Sequence, residues 1–141
     1  MAEQLKIGVR VPCYRRWCGP AATREIAELA EDAGFDSLWV QDHLVAPLGS
    51  PDDIAVEGVD DWMDPRERGD APTTLFQYYA GDDWWMDPYT MWAFLAGITK
   101  RVTLASDIMV VPYRNPVVQA KMLGTLDVLT GGRMMLGTGT G

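Results

Sequence analysis

The chain has 141 residues, of which 48% are hydrophobic, and its 20 acidic and 12 basic residues give a net charge of -8. This length allows one compact domain with a substantial core, and the negative charge disfavours nucleic acid and anionic membranes as partners. No apolar run approaches the roughly 20 residues of a membrane span, and the N-terminus lacks the pattern of a signal peptide. We therefore expect a cytoplasmic protein.

Metal binding is not indicated by the residue types that usually provide ligands. The chain has two cysteines, Cys13 and Cys18, and one histidine, His43. Their spacing matches no recognisable zinc site. We expect free thiols and no metal.

The first half of the chain begins with a strand, a helix and a second strand. Residues 6–11 are rich in β-branched side chains, and Pro12 ends the run. From about residue 21 a helical period predicts one apolar face, with Gly34 as the left-handed stop; the face consists of Ile26, Leu29, Ala30 and Ala33. Residues 35–40 then predict the second strand, which ends in Gln41, Asp42 and His43.

Residues 44–87 form a long connection that is rich in proline, glycine and aspartate and contains an aromatic cluster. Connections of this length are uncommon inside compact domains. We interpret the segment as a variable insertion within the domain, either a lid over a substrate site or a solvated loop.

The second half predicts two further helices and two further strands. Asp87 with Pro88, and Asn115 with Pro116, are typical of a helix N-cap followed by proline. The helices extend to about residue 99 and to the stop at Gly131 and Gly132, and the third helix should bury Met122, Leu123, Leu126 and Leu129. Strands are predicted at residues 102–111 and 133–136.

This alternation predicts an α/β fold with a parallel sheet and right-handed crossovers. Two architectures fit the pattern: an open doubly wound sheet, or part of a (β/α) barrel. A complete barrel typically needs about 250 residues and eight strands. In a barrel, the chain would therefore supply about the first four β/α units.

In both architectures ligands bind at the C-terminal ends of the strands. His43 follows strand two and has the chemistry of a general acid or base, although it also fits a histidine that packs under a loop. Asp42 could orient a ligand or start a turn. Asp107 lies within strand three beside Ser106, and a carboxylate there needs a partner if it faces the core.

The final residues, GTGTG, resemble half of a dinucleotide fingerprint. That motif needs a following helix whose N-terminus receives the phosphate. Close backbone packing near a strand end is the alternative explanation for these glycines.

Four segments in order and spacing resemble the N-terminal half of luciferase-like monooxygenases. They are KIGVRVP (6–12), GFDSLWVQDH (34–43), DPYTMWAFLAGITKRVTLAS (87–106) and VVPYRNPVVQAKMLGTLDVLTGGRMMLGTGTG (110–141). The closest resemblance is to the flavin- or deazaflavin-dependent oxidoreductases of this superfamily. It implies a TIM (β/α)8 barrel that binds reduced FMN or coenzyme F420 at its mouth, together with a small organic substrate.

The resemblance also implies roles for individual residues. Asp42 and His43 correspond to a pair close to the cofactor and substrate, with His43 as proton donor or electrostatic partner. Ser106 and Asp107 correspond to a cis peptide bond behind the ring, although Asp107 departs from the small or aliphatic residue expected there. The cofactor would further contact Asp42, Gly137, Thr138 and Gly139, and residues beyond strand four would bind its phosphate.

Two functions follow from this sequence. The first is a flavin- or F420-dependent oxidoreductase or monooxygenase that transfers hydride or oxygen. The second is a truncated, non-catalytic half-barrel that needs a partner or a C-terminal half. A four-stranded half-barrel exposes two strand edges, so we expect it to form homo-oligomers or to associate through those edges.

Overall fold

The computed structural model describes residues 5–14, 18–44 and 85–140. These residues contain four strands that pair in parallel in the order β1-β2-β3-β4. The strands are β1 (Gly8–Arg10), β2 (Ser37–Val40), β3 (Thr103–Val110) and β4 (Met134–Gly139). The predicted parallel α/β sheet is confirmed. The predicted loop at 44–87 lies outside the described residues, apart from Leu44 and residues 85–87.

Among the described residues, three α-helices connect these strands, and two of them begin at the predicted caps. The helices are α1 (Pro20–Asp32), α2 (Pro88–Ile98) and α3 (Pro116–Thr130), and a short 3-10 helix occupies Val111–Tyr113. Asp87 accepts a hydrogen bond from the Thr90 N–H at the start of α2, and Asn115 accepts one from the Val117 N–H at the start of α3. Both side chains satisfy N–H groups that lack a partner within the helix.

The core lies between one face of the sheet and the three helices. Strand residues at equivalent positions point to the same face, so Val9, Leu38, Leu104 and Met134 form one row against the helices. Trp92 and Leu95 of α2 are completely buried there. The Trp92 indole N–H donates to the Ala105 carbonyl at 3.2 Å, which satisfies the buried donor.

The predicted apolar faces of α1 and α3 are partly wrong. Ala30 and Leu126 are buried, but Leu29 is 59% exposed, Leu129 is 69% exposed and Ala33 is also exposed. The buried residues of α1 are Thr23, Ala27 and Ala30, of which only Ala30 belongs to the predicted face. The small side chains allow the helix to approach the sheet, and the larger leucine lies on the outer side.

The end of the chain is also different from the prediction. We expected strand four to end at residue 136, but β4 continues through Gly139 and pairs with β3. The register is interrupted between Ser106 and Met109, where β3 contains one residue more than β4. The cis peptide bond lies at Asp107-Ile108, one residue after the predicted Ser106-Asp107 bond, because counting back from residues 114–116 does not locate this bulge.

The N-terminal end of the sheet is held by polar contacts with the backbone. The Glu31 carboxylate accepts hydrogen bonds from the N–H groups of Lys100, Arg101 and Val102 at 2.6–3.0 Å. Nearby, Arg133 donates to backbone carbonyls of Thr99, Val102 and Thr130. These contacts fix the turns that lead into β3 and β4, at the end opposite the predicted site.

In residues 5–14, 18–44 and 85–140, no helix has the length and apolar character needed to cross a bilayer. In that part of the chain, no three His, Cys, Asp or Glu side chains are grouped so that they could bind a metal ion.

Candidate functional site

Asp42 lies two residues after the end of β2. Its side chain has no exposed surface, and its carboxylate forms a two-pronged ion pair with Arg114. The Nη1–Oδ2 distance is 2.7 Å and the Nη2–Oδ1 distance is 2.8 Å. The Val110 N–H also donates to Oδ2 at 2.9 Å. Both carboxylate oxygens are therefore engaged within the protein.

Arg114 connects Asp42 to the start of α2. Its Nη2 also donates to Asp87 Oδ2 at 2.7 Å, while Asp87 Oδ1 caps the helix. The guanidinium lies 5.3 Å from the centre of the Tyr89 ring. The hydrogen bonds with Asp42, which outweigh the effect of burial, raise the pKa of Arg114. Arg114 therefore remains charged and joins β2, the end of β3 and α2.

The buried side-chain amide of Gln119 binds the backbone next to Arg114. The Gln119 side-chain NH₂ donates to the carbonyls of Val111 and Arg114 at 2.8 Å and 3.0 Å. The Tyr89 hydroxyl donates to Gln119 Oε1 at 3.1 Å. A satisfied polar network of this kind restricts the conformation of the chain on both sides of Arg114.

His43 is half-buried, and its ring packs on an aromatic side chain that the sequence places 42 residues later. The centres of the His43 and Trp85 rings are 4.1 Å apart, and Trp85 in turn stacks on Tyr14 at 4.4 Å. Burial lowers the pKa of His43; Asp42 acts in the opposite direction and Arg10 adds to the decrease. The net effect favours the neutral imidazole, which can accept a proton.

A second ion pair joins β1 to β3. Arg10 donates from Nε and Nη2 to Asp107 Oδ2 at 2.9 Å and 2.6 Å, and the two side chains are 54% and 32% exposed. The other oxygen, Asp107 Oδ1, is buried and has no hydrogen-bond partner among the described residues. A buried acceptor without a donor is costly, so an N–H or O–H group of a ligand would be favourable there.

The remaining predicted residues lie where β3 and β4 meet. Ser106 is completely buried, and its hydroxyl donates to the Gly137 carbonyl at 3.0 Å. Thr138 and Gly139 are paired with Met109 and Val110 in the sheet. A Cβ on Gly137 would overlap the Ser106 carbonyl oxygen, and one on Gly139 would overlap the Ile108 side chain. Gly137 is therefore required by strand packing, because its neighbour is backbone, whereas the exposed Ile108 side chain beside Gly139 can move aside.

The structure groups Asp42 and His43 with Arg10 and Asp107 near the C-terminal ends of the first three strands. Ser106, Gly137, Thr138 and Gly139 belong to the adjoining β3–β4 pairing, where Ser106 is buried. The catalytic and cofactor-binding roles of all these residues stay predictions. Cys13 and Cys18 are buried thiols, and burial raises the pKa of Cys13.

Sequence reasoning missed Arg10, Trp85 and the partnership of Arg114 with Asp42. One signal was available for Arg114, because a buried carboxylate at a strand end requires a cation. Arg114 stands immediately before the Asn115-Pro116 cap, and parallel pairing brings the end of β3 next to the end of β2. The contact between His43 and Trp85 had no comparable signal.

The comparison with known families agrees with this architecture. A sequence model of the luciferase-like monooxygenase family matches residues 71–141, half of the chain. The chain belongs to the luciferase-like monooxygenase family. The predicted family and the predicted barrel-type α/β fold are both confirmed.

Curated relatives within this family include F420-dependent dehydrogenases. The chain is 30% identical over 138 residues to F420-dependent glucose-6-phosphate dehydrogenase of Amycolatopsis mediterranei, covering 97% of the chain and 32% of that enzyme. It is 31% identical over 142 residues to F420-dependent glucose-6-phosphate dehydrogenase 2 of Rhodococcus jostii, covering 100% of the chain and 32% of that enzyme. The chain spans about a third of the length of these relatives.

Solved structures in the luciferase-like family show the same fold. An F420-dependent secondary alcohol dehydrogenase with an F420-acetone adduct superimposes with a TM-score of 0.68 at 21% identity, covering 99% of this chain and 32% of the enzyme. The oxygenating component of a type II Baeyer-Villiger monooxygenase from Pseudomonas putida, with FMN bound, gives 0.62 at 20% identity, covering 98% and 30%. Similar proteins thus include F420-dependent and FMN-binding enzymes.

Proposed function

We propose that this chain forms one side of a flavin or deazaflavin oxidoreductase site, in which His43 exchanges a proton with the substrate. The observation that carries the proposal is the setting of His43: a half-buried imidazole that packs on the Trp85 ring and is subject to the charges of Asp42 and Arg10. A neutral imidazole can accept a proton near pH 7. Membership of the luciferase-like family supports the cofactor class.

The polar residues of the site are compatible with a ring that carries N–H and carbonyl groups. Asp107 Oδ1 is a buried acceptor that lacks a donor among the described residues. Arg10 is 54% exposed beside it and retains N–H groups for a carbonyl or an anion. Flavin and deazaflavin ring edges have both kinds of group, so we propose that Arg10 and Asp107 contact the ring.

We propose a separate role for each residue of the site. The bound cofactor supplies hydride or oxygen chemistry. His43 takes or returns a proton at an imidazole nitrogen, and Trp85 limits the positions that the imidazole can adopt. Asp42 acts without touching the ligand, because Arg114 and the Val110 N–H engage both of its oxygens. Gly137 and Gly139 keep β4 close to β3, so that the bulge beside Asp107 is maintained.

The proposal is tested by fluorescence titration of the chain with coenzyme F420 and, separately, with FMN. We expect saturable binding of one of them, and the tighter ligand identifies the cofactor class. Asp107→Asn and Arg10→Met should weaken this binding. Arg24→Met is the matched control, because Arg24 pairs with Glu28 on the surface of α1. Absence of saturable binding by the folded chain would reject a cofactor site formed by this chain alone.

The second candidate function is a non-catalytic half-barrel that associates with another chain. It is favoured by the outer side of β4, where Met135 is 49% exposed and Leu136 is 40% exposed. No other described strand pairs with the outer edges of β1 or β4. Apolar strand edges of this kind attract further strands. Sedimentation velocity should detect a homo-oligomer, and a monodisperse monomer that unfolds cooperatively would contradict this candidate.

A further inference from the structure

Arg114 neutralises the buried carboxylate that lies directly before His43 in the chain. The Asp42 side chain is completely buried, and 14% of the Arg114 side chain is exposed. Their two-pronged contact has distances of 2.7 Å and 2.8 Å. Arg114 also pairs with Asp87, whose side chain is 39% exposed and therefore better solvated. The strongest electrostatic partner of Asp42 is thus an enclosed guanidinium.

The charges around His43 come from several elements. Asp42 follows β2 and Arg10 belongs to β1, and both act on the imidazole. Arg10 is paired with Asp107 of β3, and Asp42 with Arg114, which follows β3. Asp42 alone would favour the protonated imidazole, because an adjacent negative charge stabilises a cation. A positive charge held against Asp42 cancels much of that attraction. Arg10, which is paired with Asp107, also opposes protonation of the imidazole.

We propose that Arg114 is a positioning residue that limits protonation of the His43 imidazole, by neutralising Asp42 and holding its carboxylate in one orientation. The relevance of this role to catalysis rests on the proposed function of His43. The charge state itself is a property of the chain and can be measured without cofactor or substrate. The two proposals can therefore fail separately.

The measurement is an NMR titration of the imidazole. His43 is the only histidine in the sequence, so protein from which any histidine tag has been removed gives a single imidazole signal. In Arg114→Met the uncompensated Asp42 should raise the pKa of His43 by about half a unit to one unit. Arg114→Lys retains the charge and should leave the pKa near the wild-type value.

Two further variants separate charge from loosened packing. Asp42→Asn removes the attraction and leaves Arg114 uncompensated on that side, so the pKa of His43 should decrease. Arg133→Met is the matched control: Arg133 is a partly buried arginine with several backbone contacts, but it lies at the opposite end of the strands. It should leave the His43 titration unchanged.

Each outcome decides the proposal. An unchanged or lowered His43 pKa in folded Arg114→Met would overturn the proposal. Equal pKa shifts in Arg114→Met and Arg114→Lys would also overturn it. So would a shift in Arg133→Met equal to that in Arg114→Met. If Arg114→Met does not fold, the lysine and Asp42→Asn variants decide, and an unchanged titration in Asp42→Asn overturns the proposal. If the titration behaves as expected but neither F420 nor FMN binds, the proposed function fails while the role of Arg114 stands.

Discussion

Replacing Gly137 with alanine should destabilise the chain before any ligand is added. The new Cβ would lie within 3.0 Å of the Ser106 carbonyl oxygen, where Cβ atoms are essentially never observed, and 3.5 Å from the carbonyl carbon. This neighbour is backbone in the middle of the sheet and cannot rotate away. Strands β3 and β4 would have to separate, which also weakens the 3.0 Å hydrogen bond from Ser106 to the Gly137 carbonyl.

Overpacking of this type costs about 1–3 kcal/mol, and the weakened hydrogen bond adds about 1 kcal/mol. We therefore expect Gly137→Ala to lower the free energy of unfolding by about 2–4 kcal/mol. With a urea dependence of about 2 kcal/mol per molar, the middle of the usual range, the midpoint of urea unfolding, followed by tryptophan fluorescence, should decrease by about 1–2 M.

Gly124→Ala is the matched control for this prediction. Gly124 is exposed within α3, and a Cβ there meets nothing within 4 Å. Alanine at this position should increase the free energy of unfolding by about 0.5–1 kcal/mol, because glycine is a poor helix former. If cofactor-free Gly137→Ala unfolded at the wild-type urea concentration, the packing explanation for the glycine would be wrong, and a role confined to ligand binding would be favoured.

Two further predictions concern helix caps and pH. Asn115→Ala should lower the free energy of unfolding by about 1 kcal/mol, because it removes the cap of α3. Asp87→Ala should lower it by more, because Asp87 caps α2 and also pairs with Arg114. Equal decreases in the free energy of urea unfolding would contradict a contribution from the ion pair. Burial raises the pKa of Glu31, but the hydrogen bonds from the N–H groups of Val102, Arg101 and Lys100 lower it by a larger amount. The pKa of Glu31 is therefore below its ordinary value of 4.5. The stabilisation by the Glu31 carboxylate is therefore complete above pH 4.5 and lost as the pH falls through the lowered pKa. The stability difference between wild type and Glu31→Gln should accordingly shrink with acidification, and a pH-independent difference would refute this interpretation.

Element order was predictable because local signals agreed with the tertiary fold. The Asp87-Pro88 and Asn115-Pro116 caps start α2 and α3 at the expected residues, and Gly34 and Gly131 adopt the left-handed conformations that follow α1 and α3. Alternating strands and helices then leave little choice other than parallel pairing. These features depend on neighbouring residues, which a sequence displays directly.

The details that failed depend on contacts between distant segments. Leu29 and Leu129 fit the helical period but lie on the outer side, because the core contacts the smaller residues of α1 and the side of α3 that contains Leu126. The glycines after Leu136 were expected beyond a strand end, yet they lie inside β4, where Gly137 packs against the Ser106 carbonyl oxygen beside the β3 bulge. The partners of Asp42 and His43 are 72 and 42 positions away, so their contacts emerge only from the folded chain.

The most direct test of the central claim is the response of the single imidazole signal of His43 to the cofactor. Titration with F420 or FMN, whichever binds more tightly, should shift this signal saturably, because an aromatic ring beside the imidazole changes its magnetic environment. The dissociation constant from the NMR shift should equal the one from cofactor fluorescence. Saturable fluorescence binding that leaves the His43 signal unmoved would contradict the claim, since the cofactor would then lie away from the site formed by β1, β2 and β3.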